Sequence, residues 1–285
     1  MKVLVTGVNG QLGFDVCREL AGLGIEHRGV DIQDFDLTDE RQTEDFIAGY
    51  GPDAVVHCAA YTAVDKAESN RELCRAVNVE GTAHVAEACR SLNAKMVYIS
   101  TDYVFEGRGE VPFEVDSPKN PINYYGLTKL QGEEEVLKRV NKHFIVRTSW
   151  VFGENGGNFV RTMLRLGAEK ESVKVVMDQT GSPTYTPDLA KLLCRMILTE
   201  KYGVYHATNE GTCSWYEFAS AIMEGAGLSC RVLPIPADEY PSAAKRPMNS
   251  RLSKASLDAA GFDRLPDWRD ALKRFLAQRP ARSCR

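Results

Sequence analysis

An α/β fold with a doubly wound parallel sheet is predicted from three features of the 285-residue sequence. Short apolar runs rich in β-branched residues alternate with longer amphipathic stretches through the first half of the chain, which is typical of βαβ units. A glycine-rich turn joins the first apolar run to the first amphipathic stretch. After residue 150 the alternation weakens and Gly and Pro become frequent, which predicts a smaller, loop-rich C-terminal part.

The individual elements follow from this alternation. Five strands are predicted, at residues 2–6, 28–31, 54–58, 95–99 and 144–148. Helices are predicted at residues 11–23, in a stretch that Thr38 opens as N-cap, and at 72–92, 125–140, 187–199 and 214–225. In the last helix, Ser214 and Glu217 match a capping box. We expect a cofactor-binding domain over residues 1–150 and a mainly substrate-binding domain over residues 151–285, with a possible crossing of the chain between them.

Charge and hydropathy narrow the function classes. The net charge is -4, and charged residues of both signs are spread along the chain. Binding to nucleic acid or to an anionic membrane would instead require a basic patch. No apolar run reaches bilayer length, and the opening MKVLVTG is typical of a strand rather than of a signal peptide. The eight cysteines are scattered without a CxxC pair, so most are expected to be buried and reduced. These features favour a cytoplasmic protein that acts on a small molecule.

A Rossmann-type dinucleotide site is predicted at the first strand-to-helix turn. The strand VLVT runs into GVNGQLG, which places Gly7, Gly10 and Gly13 at the turn and the start of the helix. Without a Cβ, Gly7 and Gly10 let backbone N–H groups approach a pyrophosphate, and Gly13 allows close packing of helix and strand. The alternative is a glycine turn without a ligand, and the position at the first βα junction argues against it.

Asp31 is the candidate for cofactor discrimination. It ends the second predicted strand, where a carboxylate can accept hydrogen bonds from the adenine ribose of NADH and repel the extra phosphate of NADPH. Arg28 lies three residues earlier, so strand alternation turns its side chain to the opposite face. NADH is therefore expected to be favoured. The alternative role of Asp31 is that of a solvated loop carboxylate.

Catalytic side chains are predicted at the carboxyl edge of the sheet. Strand four runs into Thr101, which can hydrogen-bond a substrate oxygen or cap a turn. Tyr125 and Lys129 are four apart in YYGLTK, so they share one face of a helix. A nearby ammonium favours the phenolate, so Lys129 is expected to lower the pKa of Tyr125 from ~10 and tune it as a proton donor. Together with the glycine turn, these residues indicate a ketone reductase.

The same motifs resemble the extended short-chain dehydrogenase/reductase superfamily, which combines GxxGxxG, a Ser or Thr after strand four, and YxxxK. Further stretches are similar to the dTDP-4-dehydrorhamnose reductase family and sample nearly the whole chain: GQLG, AAYTAVDKAE, STDYVFEG, YGLTKLQGE, RTSWVFG, NFVRTMLRL and RPMNSRL. This resemblance implies hydride transfer from NADH or NADPH to the 4-keto group of dTDP-4-dehydro-6-deoxy-L-mannose, which gives dTDP-L-rhamnose.

The resemblance also implies roles for particular residues. Tyr125 would donate the proton, and Lys129 would orient the nicotinamide ribose. Substrate contacts would fall on Thr101, Asp102, Trp150 and Arg246. Cofactor contacts would fall on Gly10, Gln11, Leu12, Asp31, Asp36, Leu37, Ala60, Tyr61 and Thr62. Apart from the resemblance, a tryptophan such as Trp150 is more often a core residue, and an arginine such as Arg246 is more often a solvated loop charge.

One departure from the family pattern concerns metal and assembly. Some relatives dimerise around magnesium held by glutamates, whereas the counterparts here are the shorter Asp15 and Asp188. This argues against a magnesium-bridged dimer, so no metal ligand is assigned. A homodimer and bound magnesium are left open.

Two other functions are left open by the sequence. One is a nucleotide-sugar epimerase or dehydratase of the same superfamily, which would regenerate its cofactor within each turnover. The other is a non-catalytic regulatory subunit similar to that of methionine adenosyltransferase. The presence of Thr101, Tyr125 and Lys129 argues against the non-catalytic alternative.

Overall fold

The computed structural model describes residues 1–278, and it combines one large sheet with several short ones. The strands are β1 (Lys2–Thr6), β2 (Glu26–Val30), β3 (Ala54–His57), β4 (Lys95–Thr101), β5 (His143–Thr148), β6 (Val151–Phe152), β7 (Ser172–Val176), β8 (Thr180–Gly181), β9 (Thr184–Tyr185), β10 (Gly203–His206), β11 (Asn209–Glu210), β12 (Cys213–Ser214), β13 (Arg231–Ile235), β14 (Asn249–Ser250) and β15 (Leu265–Asp267). The α-helices are α1 (Gln11–Gly22), α2 (Glu40–Tyr50), α3 (Val64–Ala67), α4 (Arg71–Arg75), α5 (Thr82–Ser91), α6 (Tyr124–Arg139), α7 (Phe159–Glu169), α8 (Thr186–Ile197), α9 (Trp215–Gly225), α10 (Ala255–Ala259) and α11 (Trp268–Ala277).

The large sheet has the order β2-β1-β3-β4-β5-β10. All of its strand pairs are parallel. The chain leaves β1 for β2 on one side and returns to β3 on the other, so the strand order reverses between β1 and β3. This is the predicted doubly wound fold. In such sheets, ligands bind in the crevice outside the carboxyl ends of the strands at the switch point.

Helices cover both faces of the large sheet, and most residues of its central strands are apolar. Val3 and Val5 face a core built with α1 and α8. Leu4 faces a second core built with α2, α5 and α6. Parallel strands that are buried on both faces form continuous apolar runs in the sequence, which is why β1 and β3 could be predicted.

The second part of the molecule surrounds a third core. α7, α9 and α11 contribute Met163, Phe218 and Phe275 to it. The predicted capping box of α9 is confirmed, with Ser214 and Glu217 each accepting from the other's backbone N–H. The chain returns to the large sheet in this half, since α8 packs on α1 and β10 pairs with β5. Residues after 150 therefore build both parts of the molecule.

The start of α2 differs from the prediction by one residue. Asp39, and not Thr38, is the N-cap, and its Oδ1 accepts from the backbone N of Gln42 at 2.9 Å. Thr38 instead donates its hydroxyl to Asp36 Oδ1 at 2.8 Å. The prediction of Thr38 as the cap was wrong because its hydroxyl is engaged in the preceding turn.

The predicted helix at residues 72–92 is divided by a π-helical segment at Ala76–Gly81. Thr82 donates its hydroxyl to the carbonyl of Asn78 at 2.8 Å, which competes with the regular helical ladder. The Asn78 side chain binds the backbone of Tyr61, with Oδ1 accepting from Tyr61 N at 2.8 Å. Segments of this kind are frequent at functional sites, and this one holds the turn that follows β3.

The cysteines agree with the sequence analysis as far as the structure describes them. Cys74, Cys89, Cys194, Cys213 and Cys230 are buried and free, whereas Cys17 and Cys58 are free and half-buried. Cys284 lies outside the described residues. Among residues 1–278, none of the helices combines the length and apolar character that crossing a bilayer requires.

Candidate active site

A cleft of about 880 Å³ lies at the switch point, along the carboxyl ends of the central strands of the large sheet. The glycine turn and the residues after β2 form one end of it, and the residues after β5 and the start of α9 form the other. All the predicted site residues line this cleft except Tyr61. The predicted cofactor residues and the predicted substrate residues therefore share one continuous space.

The glycine turn forms a cradle that side chains would fill. Gly7 has φ of +71°, and a Cβ there would lie 2.6 Å from the backbone N of Ala59. A Cβ on Gly13 would collide with the carbonyl of Gly7. Gly10 is the N-cap of α1 and supplies no side-chain cap, so backbone N–H groups of the first turn remain for a ligand. The turn fits the pyrophosphate of a dinucleotide.

Asp31 directly follows β2 and lies beside this cradle. Its Oδ2 accepts from the backbone N of Asn9 at 2.9 Å. Arg28 makes its ion pair with Asp34, at 3.9 Å, and lies over the ring of Phe46, 4.6 Å from the centroid. The carboxylate of Asp31 is thus fixed next to the glycine turn.

The remaining predicted cofactor residues lie in two turns. Four of them line the cleft: Asp36, Leu37, Ala60 and Thr62. The first turn is fixed by Asp36, whose Oδ1 accepts from the backbone N of Thr38 at 2.9 Å. Tyr61 belongs to the second turn but does not line the cleft. Its backbone N and O bind the side chain of Asn78.

Thr101 ends β4, and Asp102 opens a short 3-10 helix after it. The Thr101 hydroxyl donates to Asp102 Oδ1 at 3.0 Å. Asp102 is 4% exposed, and within residues 1–278 its Oδ2 has no hydrogen-bond partner. Burial raises the pKa of the Asp102 carboxyl to about 6. A buried oxygen of this kind is an acceptor that a ligand hydroxyl can satisfy.

α6 brings Tyr125 and Lys129 to the cleft. Asn123 caps the helix and accepts from the backbone N of Gly126 at 2.8 Å. Burial, followed by the negative charge of Asp102, raises the pKa of Tyr125 well above its usual value. The expected lowering of this pKa by Lys129 is not seen, because burial is the largest effect on it. The sequence spacing showed that the two residues share a helix face, but it could not show that Tyr125 is buried. Tyr125 therefore keeps its proton at neutral pH and can donate it.

Burial has the opposite effect on Lys129, because its charged form is the protonated one. It lowers the pKa of Lys129 to about 7, while Glu133 acts in the opposite direction. Glu133 follows one turn later on α6 and is itself paired with Arg147 of β5. Arg147 donates Nε and Nη2 to the two carboxylate oxygens at 2.8 and 2.7 Å, and both side chains are 1% exposed. This buried fork ties α6 to the sheet behind the cleft.

Trp150 lies where the cleft meets the third core. Its φ of +50° is uncommon for a residue other than glycine. Its ring stacks on Trp215, with centroids 3.7 Å apart and 13° between the planes. A Cβ on Gly181 would lie 2.8 Å from this ring. Backbone and ring are therefore both fixed by their neighbours, and Trp150 is at once a core neighbour and a wall of the cleft.

Arg246 reaches the cleft from the loop before β14. Its Nη2 pairs with Asp65 Oδ2 at 2.6 Å, and Asp65 Oδ1 accepts from the backbone N of Ala244 at 3.1 Å. Within the described residues, the buried Nε of Arg246 has no partner. Arg246 is thus held at the cleft by α3, which the alternative of a solvated loop charge does not predict.

Asp15 and Asp188, which the family resemblance singled out in connection with a metal, are engaged within the chain. Asp15 accepts from the Thr186 hydroxyl at 2.5 Å, and burial raises the pKa of its carboxyl. Asp188 accepts from Arg274 at 2.8 and 2.7 Å. In the part of the chain that the structure describes, no group of three or more His, Cys, Asp or Glu residues is arranged to hold a metal ion.

Sequence reasoning missed three residues that shape the cleft. The ring of Tyr103 packs edge-on against Tyr125, with centroids 5.7 Å apart. Asn158 donates to Gln11 Oε1 at 2.9 Å, and the glycine-rich VFGENGGN that ends at Asn158 was the signal that could have indicated this contact. Trp215 had no such signal, because its stacking on Trp150 depends on tertiary packing alone.

A dinucleotide cradle that opens onto a tyrosine and a lysine is typical of nicotinamide-dependent oxidoreductases of the Rossmann type, and the chain falls in this class. A family model described as "RmlD substrate binding domain" matches residues 1–280. The dTDP-4-dehydrorhamnose reductase of Mycolicibacterium smegmatis is 40% identical over 97% of this chain and 85% of its own. The chain therefore belongs to the dTDP-4-dehydrorhamnose reductase family.

Two further relatives cover almost the whole chain. The spore coat polysaccharide biosynthesis protein SpsK of Bacillus subtilis is 42% identical over 98% of both chains. A crystal structure of dTDP-4-dehydrorhamnose reductase from Bacillus anthracis in complex with NADP superposes with a TM-score of 0.95 at 42% identity, covering 98% of this chain and 99% of that one.

Proposed function

We propose that this protein reduces the 4-keto group of dTDP-4-dehydro-6-deoxy-L-mannose with NAD(P)H and releases dTDP-L-rhamnose. The observation that carries the proposal is the single cleft in which the glycine cradle meets Thr101, Tyr125 and Lys129. The relatives named for this reductase support the same substrate class. Bound NAD(P)H would supply the hydride that adds to the keto carbon.

In this mechanism Tyr125 donates the proton that the keto oxygen needs as negative charge develops on it. The raised pKa of Tyr125 keeps this proton in place until then. The Thr101 hydroxyl, which donates to Asp102 Oδ1 in the free protein, would turn to donate a second hydrogen bond to the keto oxygen. Asp102 Oδ2 would accept from a hydroxyl of the sugar. Lys129 would hold the nicotinamide ribose, and its ammonium would stabilise the charge left on the Tyr125 oxygen.

Incubation of the purified protein with the dTDP-keto sugar and NADH tests the proposal. We expect one NADH to be oxidised for each dTDP-L-rhamnose formed. An isomerised or dehydrated sugar without net loss of NADH, together with NAD that stays bound through purification, would instead identify an epimerase or dehydratase. Cofactor binding without any turnover would favour the regulatory subunit.

The proposal extends to location and assembly. Because the reaction consumes NAD(P)H, we place the protein in the cytoplasm. The homodimer stays a prediction for sedimentation analysis. Asp15 and Asp188 are engaged by Thr186 and Arg274, so the proposal includes no magnesium bridge.

Cofactor preference provides a prediction at Asp31. We expect NADH to be favoured over NADPH by roughly a few-fold to tens-fold in kcat/KM, since each tenfold step corresponds to only ~1.4 kcal/mol. Asp31→Ala removes the repulsion of the extra phosphate and should shift the preference towards NADPH. Kinetics with both cofactors measure this shift. Asp45→Ala removes the same charge from an exposed position on α2 and should leave the preference unchanged. A clear wild-type preference for NADPH would contradict the assignment.

Trp150 provides a prediction about substrate binding. Trp150→Ala removes an aromatic wall of the cleft and should raise the KM for the keto sugar by roughly 2- to 13-fold, the equivalent of about 0.5–1.5 kcal/mol of aromatic contact. The KM for NADH should change little. Calorimetric melting separates this role from a purely structural one, because a core residue would lower Tm and leave KM unchanged. Trp150→Phe should recover part of the affinity.

A further inference from the structure

Tyr98 lies against Lys129, at a position where no motif predicts a functional residue. It belongs to β4 and is fully buried. Nζ of Lys129 lies 4.0 Å from the centroid of the Tyr98 ring. The Tyr98 hydroxyl donates to the backbone carbonyl of Lys129 at 3.2 Å. One tyrosine thus contacts both the charged end and the main chain of the same lysine.

The surrounding fold leaves room for this contact. Gly132 lies inside α6, where a glycine costs stability relative to alanine. A Cβ at this position would collide with the hydroxyl oxygen of Tyr98. The ring of His57 stacks on Tyr98 with centroids 6.0 Å apart, and its Nδ1 is hydrogen-bonded to the Thr6 hydroxyl at 2.8 Å. Tyr98 is therefore held between β3 and α6 with little freedom to move.

Few of the groups facing Lys129 stabilise its charge. Glu133, on the same helix, is negative but is paired with Arg147 at 2.7 Å. His57, on β3, is neutral because burial lowers its pKa to about 3. Burial also keeps three neighbouring groups neutral by raising their pKa: Cys58, Cys74 and Tyr125. The face of the Tyr98 ring carries negative charge density and attracts a cation.

We propose that Tyr98 is a positioning residue for the reduction, whose ring face keeps the Lys129 ammonium charged and in place beside Tyr125. The inference rests on the proposed function, because it requires Lys129 to act as a cation. Cation–π attraction is strongest where the pair is removed from water, and Lys129 is 2% exposed. Without the ring, the neutral amine is favoured, so Lys129 should lose its proton at a lower pH.

The test compares Tyr98→Phe, which keeps the ring, with Tyr98→Leu, which removes it. The titration of Lys129 is followed by NMR of isotope-labelled lysine in the protein without cofactor, and Lys129→Met assigns the signal. Tyr98→Phe should titrate like the wild type. In Tyr98→Leu the midpoint should fall by about 0.5–1.5 pH units. The alkaline limb of the kcat/KM profile should move down in parallel, because activity is lost once the ammonium deprotonates.

A second series covers the case in which Tyr98→Leu does not fold. Phenylalanines with one, two and three ring fluorines at position 98 keep the shape of the side chain while withdrawing charge from its face. The Lys129 midpoint should then fall stepwise with fluorination. If the Lys129 midpoint stays the same when the ring at position 98 is removed or fluorinated, the inference is overturned. If Tyr125→Phe or Lys129→Met instead keeps wild-type turnover, the proposed function is what fails, and the two failures are distinguishable.

Discussion

Tyr125→Phe is expected to lower kcat by about 10²- to 10⁴-fold, the usual contribution of a positioned general acid. The substitution removes the hydroxyl but keeps the ring, which packs edge-on against Tyr103. The fold and the affinity for NADH should therefore stay close to those of the wild type. Steady-state kinetics with the keto sugar, together with titration of NADH binding, measure the two effects separately.

Tyr124→Phe is the matched control for this prediction. Tyr124 precedes Tyr125 on α6, but its ring faces the guanidinium of Arg71, 4.9 Å away. It should keep wild-type turnover. If Tyr125→Phe also turns over at nearly the wild-type rate, another group donates the proton. Asp102 would then be the first candidate, since burial raises the pKa of its carboxyl to about 6.

Local signals carried most of what the sequence predicted correctly. β1 is a continuous apolar run, and it was predicted at the residues where it lies, Lys2–Thr6. The glycine cradle was predictable because only residues without a Cβ fit the approach of Gly7 to Ala59. The capping box of α9 depends on Ser214 and Glu217 alone, so three residues of spacing suffice to recognise it.

Features that depend on distant partners could not be predicted in this way. The π-helical segment at Ala76–Gly81 contains Asn78, whose side chain binds the turn after β3. The pKa of Tyr125 rises because its hydroxyl group is buried, whereas the spacing to Lys129 suggested only a favourable charge. The stacking of Trp150 on Trp215 joins two segments that no local pattern connects. Burial and tertiary contact decide all three.

The second large effect is expected on stability. Arg147→Met should lower the free energy of unfolding by about 3–5 kcal/mol, because it leaves the Glu133 carboxylate buried and unpaired. Glu133 would keep a hydrogen bond from the Ser100 hydroxyl, which is 2.5 Å from Oε1. A single hydroxyl does not replace a guanidinium that donates two hydrogen bonds. Denaturant unfolding at neutral pH measures the loss.

A double-mutant cycle separates the ion pair from the packing of its members. Glu133→Met combined with Arg147→Met removes both charges, so the double variant should lose less stability than the two single losses added together. Arg165→Met breaks an exposed pair with Glu169, whose two side chains are 61% and 54% exposed, and should cost less than about 1 kcal/mol. If Arg147→Met cost no more than this control, the buried fork would not be what ties α6 to the sheet. The position of Tyr125 and Lys129 at the cleft would then have to depend on the apolar packing of α6.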